Sequence, residues 1–445
     1  MLLAGVMTLL FKKLKQPVVL GYIVAGFLAS PYMPYTPSVV DNADVSTWAD
    51  IGVIFLLFSL GLEFSFRKLL KAGSTPVIAV ITSTACMIAV GILVGGLFGW
   101  SFMNGLYLGG MLAMSSTGII VKAFDDLGLR QQQFASLVMS VLILEDILAV
   151  VLMVVLSTVA VSNNFEGKEL IMSIGKLAFF LILWIVVGIY LIPLLLRKAK
   201  KLMNDETLLV VALGLCFGMV VIAAKTGFSA AFGAFIMGSI LAETIEAEHI
   251  EHLVKPVKDL FGAIFFVSVG MMVDPAMIAQ YWLPIVIITL TVIVGQLVFA
   301  TLGVLLSGQS LKTAMQCGFS LTQIGEFAFI IATLGVSLGV TSSFLYPIVV
   351  AVSVITIFLT PYMIRLSEPA YGFVYRHLPS RFRTFLDNYA ASSTSPSTTK
   401  DSEWKQYLGS IGRVILIYGI LCIAICGLSF GLLVPLVAKW IPEPW

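Results

Sequence analysis

From Phe134 to Ala160 the chain runs for 27 residues with only two ionisable side chains, and these are neighbours, Glu145 and Asp146. An apolar run of that length is a helix that spans a bilayer or lies wholly inside protein. A carboxylate at bilayer depth costs about 2.5–3.5 kcal/mol on insertion scales, so acids in such places mark ion pathways, proton relays or ion sites. Two in succession make this helix the first place to look for function.

The rest of the chain has the same character. Hydrophobic residues make up 59% of its 445 residues and charged ones 11%, with mean hydropathy +1.04. A soluble domain of this length needs far more polar surface, so the sequence predicts an all-α polytopic membrane protein. Apolar runs place helices near 2–14, 17–30, 48–64, 75–97, 104–124, 134–160, 171–196, 207–225, 228–244, 253–272, 282–306, 311–335, 342–366 and 411–437. That is about thirteen transmembrane helices and one extra at the C-terminal end. The first apolar run, Met1 to Phe11, leads into Lys12, Lys13 and Lys15 with no small-residue cleavage site, so it does not read as a cleavable signal. It is short for a span; either the helix draws on flanking residues or natural N-terminal residues are missing.

With the N-terminus outside, alternate loops collect 22 of the 26 basic residues on one side. Lys168, Lys176, Lys225 and Lys439 alone fall on the other. The basic side is the cytoplasmic one, which puts the N-terminus outside; the expected location is a bacterial inner membrane. Three parts follow: a membrane-embedded body over 1–370, a cytoplasmic linker over 371–410, and a helix at 411–437. The linker contains the polar, low-complexity stretch from Ala390 to Lys400, which cannot bury a core. All five cysteines, Cys86, Cys216, Cys317, Cys422 and Cys426, lie in apolar helices and read as packing residues. His249 and His252 sit among Glu246, Glu248 and Glu251 and read as a solvated cytoplasmic turn, with a pH-sensing gate as the sharper alternative.

Two expected helices are interrupted at comparable places. Ser115-Ser116-Thr117-Gly118 breaks 104–124, and Thr322-Gln323-Ile324-Gly325-Glu326 breaks 311–335. Non-helical backbone at that depth is tolerated only where it lines a cavity or is buried in protein. Paired breaks in the two halves point to an inverted-repeat transporter with a site near the midplane.

These stretches resemble the monovalent cation:proton antiporter-2 family, which includes the Kef-type potassium efflux proteins and sodium/proton exchangers. The resemblance rests on Gly21 to Gly26, Ile51 to Glu63, Ser115 to Ile119, Leu144 to Ile147, Gly233 to Gly238, Phe265 to Gly270 and Gly325 to Phe327, in family order over roughly residues 15–366. It implies a crossed-helix membrane domain with two discontinuous helices, working as a homodimer. It makes Asp146 the ion- and proton-binding carboxylate, places Ser115, Ser116 and Thr117 in the first crossover, and Gln323 with Glu326 in the second. Two departures stand out. Glu145 occupies a position that is usually Asn, Gln or Asp, and Gln296 stands where the family commonly has a basic residue.

The chemistry follows from the residues as well. A carboxylate out of water favours its neutral form. A cation arriving at Asp146 displaces the proton, and either neutralised state can cross where the bare anion is costly. Hard oxygens suit an alkali cation: the Asp146 carboxylate, the Thr117 hydroxyl, and groups near Ser115 and Ser116. Adjacent helix positions lie about 100° apart, so Asp146 and Glu145 do not share a face. Glu145 is then a second proton carrier or a hydrogen-bonded residue that shapes the site, with the first slightly favoured. Glu326 reads as charge compensation at a half-helix end or for Lys122. Asp125 and Asp126 read as solvated, and Glu63 with Arg67 as a surface pair.

The expected function is exchange of Na⁺ or K⁺ for protons by alternating access. No enzymatic activity, cofactor or nucleic-acid partner is expected, and the partners are lipid and monovalent cations. Alternatives are a channel-like potassium efflux protein of the same fold and a sodium-coupled organic-anion symporter. An intramembrane aspartyl protease would need a second aspartate on a facing helix in a Gly-x-Gly-Asp setting, which is absent from the sequence.

Overall fold

The computed structural model describes residues 1–14, 16–33, 42–63, 74–161, 192–198, 203–225, 229–379 and 383. Among them, regular structure is entirely helical. Six stretches among the described residues are long and apolar enough to cross a membrane: Ser74–Leu97, Phe102–Leu127, Gln133–Ser157, Asp205–Lys225, Trp282–Leu306 and Leu345–His377. The expected helix over 171–196 lies outside the described residues except for its last five, and the helix at 411–437 lies wholly outside. So does the linker 371–410, apart from 371–379 and Arg383.

The described residues fall into two compact units. The first draws on Met1–Lys71, Leu148–Met277 and Thr333–Val340. It contains α1 (Leu2–Lys13), α2 (Val18–Leu28), α3 (Asn42–Glu63), α8 (Asp205–Lys225), α9 (Ala230–Ala242) and α10 (Ala247–Met271). Here α2 and α3 pack on α10, and α9 packs on α3. Lipid tails are as apolar as leucine, so close backbone approach at small residues holds such helices together. Gly26 and Gly270 lie against the facing backbone at Val267 and Ile23, and Gly61 lies against Gly238. Phe55 adds a stack on Phe261 at 4.4 Å between ring centres.

The second unit draws on Ala72–Ile147, Ile278–Ala332 and the described residues from Thr341 onward. It contains α4 (Ser74–Leu97), α5 (Phe102–Leu112), α6 (Thr117–Leu127) and the first half of α7 (Gln133–Val161). After the short α11 (Pro275–Gln280) come α12 (Trp282–Leu306), α13 (Leu311–Ser320), the start of α14 (Glu326–Ser337) and α15 (Leu345–His377). Helix α4 packs on α5 through a ladder of glycines, Gly91 and Gly95 facing Gly105 and Gly109. A Cβ on Gly95 would stand 2.8 Å from the Gly105 Cα. Hydroxyl caps start the half-helices: Ser101 Oγ accepts from Asn104 N–H at 3.2 Å, and Ser310 Oγ from Thr313 N–H at 3.2 Å.

The expected helices over 104–124 and 311–335 are each broken, into α5 and α6 and into α13 and α14. Several boundaries differ from expectation, α3 starting at Asn42 rather than 48. Helix α15 continues through Pro361 and Pro369 to His377 rather than ending at 366, and α10 starts at Ala247, upstream of its internal Pro256. His249 and His252 therefore belong to the first two turns of a helix rather than to a loop turn. His249 Nε2 lies 3.1 Å from Asp205 Oδ1. Glu63 pairs with Lys258 at 3.1 Å, while Arg67, its expected partner, lies outside the described residues.

Candidate functional site

The site residues all belong to the second unit and gather on the first break, Ala113 to Ser116. That segment leaves helical geometry between the carboxyl end of α5 and the amino end of α6, so its amides and carbonyls need partners from elsewhere. Ser116 is the N-cap residue of α6 with extended backbone (φ −104°, ψ 118°), and its side chain does not cap.

Helix α7 reaches this segment twice. Asp146 Oδ2 accepts a hydrogen bond from Thr117 Oγ1 at 3.2 Å. Glu145 Oε2 accepts from the Ser115 N–H at 3.1 Å. The two acids thus meet atoms two residues apart, as a rotation of about 100° per residue requires. Their surroundings differ. Asp146 and Thr117 are half-buried and Gly118 beside them is exposed, whereas Glu145 is 1% exposed. Its Oε1 has no hydrogen-bond partner, and no cation among the described residues pairs with it.

The other candidates hold the break in place. Gln323 Nε2 donates to the Ser116 carbonyl at 3.4 Å, and Ser115 Oγ donates to the Leu321 carbonyl at 3.4 Å. Gly325 N–H donates to Met114 O at 2.7 Å, so the two breaks touch through their backbones. A side chain at Gly325 would collide with the Ser115 backbone, so only glycine fits that approach. Gln296, fully buried on α12, donates from Nε2 to the Leu112 carbonyl at the end of α5 (3.0 Å) and accepts from Ser83 Oγ (2.9 Å). A neutral amide therefore meets the negative end of a half-helix.

Glu326 is the exception. It is the first residue of α14 and half-buried, and it makes no hydrogen bond or ion pair among the described residues. That placement suits charge compensation at a half-helix amino end. Lys122 is paired instead with Asp126 at 3.4 Å, and Asp125 with Arg130 at 3.0 Å, so these two aspartates are ion-paired. Ser83, Ser353 and Thr356, which also grip this region, were not singled out from the sequence. The available signal was hydroxyls at spacings of three and four on one face of an apolar helix.

Residues 1–366 match the transmembrane sodium/hydrogen exchanger family. The chain belongs to that family. Among its relatives, this exchanger is 31% identical over 379 residues to YbaL of Escherichia coli (strain K12), which carries the name of a cation/proton antiporter. The match covers 83% of this chain and 67% of YbaL. It is 28% identical over 350 residues to KhtU of Bacillus subtilis (strain 168), named a K(+)/H(+) antiporter subunit, covering 77% of this chain and 86% of KhtU. The exchanger shares its fold with the sodium proton antiporter MjNhaP1 from Methanocaldococcus jannaschii: TM-score 0.64, 17% identity, 83% of this chain and 96% of that one.

Proposed function

We propose that this chain exchanges a monovalent alkali cation, Na⁺ or K⁺, for protons across the membrane by alternating access, with Asp146 and Thr117 as the site of competition. The observation that carries this reading is the Thr117 Oγ1 to Asp146 Oδ2 contact of 3.2 Å at the amino end of a half-helix within an apolar bundle. Membership of the exchanger family and the cation/proton names of the relatives support it.

A proton or an alkali cation each neutralise the Asp146 carboxylate, and only a neutralised site crosses at low cost. Hydroxyl and carbonyl oxygens, Thr117 Oγ1 foremost, complete a hard-oxygen shell around the cation. The amino end of α6 eases the charge on the bare carboxylate, so the empty anion is reachable between release of one ion and capture of the next. Glu145 we assign to shaping the site rather than to carrying a second proton, because it is sequestered and bound to Ser115. Ser116 shapes the first break, its carbonyl taking hydrogen bonds from Ile120 N–H and Gln323 Nε2, while Gln323 and Gln296 brace the crossover and Glu326 balances a half-helix end. A sodium-coupled symporter of organic anions would need free amide or basic groups for its substrate. The Nε2 groups of Gln296 and Gln323 are already engaged, which speaks against it.

The same reading extends to the inverted-repeat arrangement, about thirteen spans plus the helix at 411–437, the linker over 371–410, a homodimer, and an inner-membrane location with the N-terminus outside. The test is dequenching of a pH dye in proteoliposomes on addition of Na⁺ or K⁺. Wild type dequenches, Asp146→Asn does not, and Thr117→Val needs roughly tenfold more cation, a hydrogen bond to a charged group being worth about 1.5–3 kcal/mol. An unchanged signal in Asp146→Asn would remove Asp146 from the mechanism.

A further inference from the structure

Among the buried hydroxyls on one face of helix α15 are Ser353, Thr356 and Thr360. A hydroxyl inside an apolar helix ordinarily bonds back to its own backbone. Thr360 does so, donating to the Thr356 carbonyl at 2.9 Å. Ser353 and Thr356 reach further. Ser353 Oγ donates to the Ile324 carbonyl at 3.0 Å. Thr356 Oγ1 accepts from the Ile324 N–H at 3.3 Å while donating to the Ser353 carbonyl at 3.1 Å. Ile324 is fully buried in the middle of the second break. Both of its backbone polar groups are thus satisfied by one turn of α15.

The next residue, Gly325, donates to the Met114 carbonyl at 2.7 Å. Met114 begins the stretch that runs through Ser115 and Ser116 to Thr117. The path from the α15 hydroxyls to Thr117 Oγ1 is therefore continuous, made of hydrogen bonds and two short pieces of backbone. There is no slack at its centre, since even a methyl group on Gly325 would strike the Ser115 backbone.

We propose that Ser353 and Thr356 are positioning residues for the cation site: by fixing Ile324 they set, through Gly325 and Met114, where Thr117 stands relative to Asp146. The inference rests on Asp146 and Thr117 being the exchange site. Neither hydroxyl touches the cation, and each acts through backbone it holds. Losing this hold leaves the buried Ile324 amide or carbonyl without a partner, so the second break shifts and Thr117 with it.

The experiment is cation-dependent exchange in proteoliposomes of the full chain, with the half-saturating cation concentration and the maximal rate read separately. Thr356→Val and Ser353→Ala each raise the half-saturating concentration on the order of tenfold and leave the maximal rate within about threefold. Thr356→Ser, which keeps the oxygen, restores the wild-type value. Thr360→Val, whose hydroxyl bonds only its own helix, changes neither parameter. Hydrogen exchange over residues 321–326 supplies a readout independent of transport: protection at Ile324 falls in Thr356→Val and not in Thr360→Val. An unchanged half-saturating concentration in both clamp variants, or an equal change in Thr360→Val, overturns the proposal. A wild-type protein that exchanges no alkali cation for protons overturns the underlying assignment instead.

Discussion

Glu145 and Asp146 differ by one position, and the fold turns that single step into two environments. Asp146 lies half-buried against the Thr117 hydroxyl, while Glu145 is sequestered with one oxygen on the Ser115 amide. Glu145→Gln keeps an acceptor for that amide, so it should retain exchange and melt close to wild type in detergent. Glu145→Leu leaves the Ser115 N–H buried and unpaired, a loss of about 1–3 kcal/mol. A lowered melting temperature in Leu but not in Gln checks the assignment, and loss of exchange in Gln would return Glu145 to the role of proton carrier. The sequence carried the identity of both acids and the certainty that they point apart. It did not carry which atoms they reach, since Ser115 and Thr117 lie some thirty residues away.

At the scale of elements, the broken helices were legible because Ser115-Ser116-Thr117-Gly118 and Thr322 to Glu326 interrupt apolar runs that have no other reason to contain them. The clamps on those breaks were not. Gln296 stood where the family commonly has a basic residue, and only the fold shows its amide spanning Ser83 and Leu112. Helix length was underestimated at the other end: α15 passes through Pro361 and Pro369 to His377, because neighbouring groups can re-satisfy the freed carbonyls. The glycine ladder between α4 and α5 gives the sharpest test of packing. Gly91→Val places a side chain into the Gly109 backbone and should abolish recovery of monodisperse protein. Gly96→Ala meets open space and should be neutral or slightly stabilising. Equal yields from the two variants would contradict the packing described.

At the scale of the whole molecule, an exchange that runs through Asp146 alone would trade one cation against one proton and move no net charge. A membrane potential set by an ion that is not exchanged, at a fixed pH gradient, should then leave the equilibrium cation gradient where it was. A second proton per cycle would instead couple turnover to voltage by about 2.3 kcal/mol per 100 mV. A gradient that follows the imposed potential would reassign Glu145. The family relationship fixes the class of transporter, while selectivity between Na⁺ and K⁺ depends on how the oxygens around Asp146 and Thr117 close on the ion.

The most direct measurement is the half-saturating cation concentration of the wild-type exchanger in proteoliposomes as a function of pH. If H⁺ and the cation compete for Asp146, that concentration climbs toward tenfold per unit of falling pH once the carboxylate is mostly protonated, while the maximal rate at saturating cation holds steady. A half-saturating concentration that ignores pH, with only the maximal rate changing, would mean that proton and cation bind at separate places.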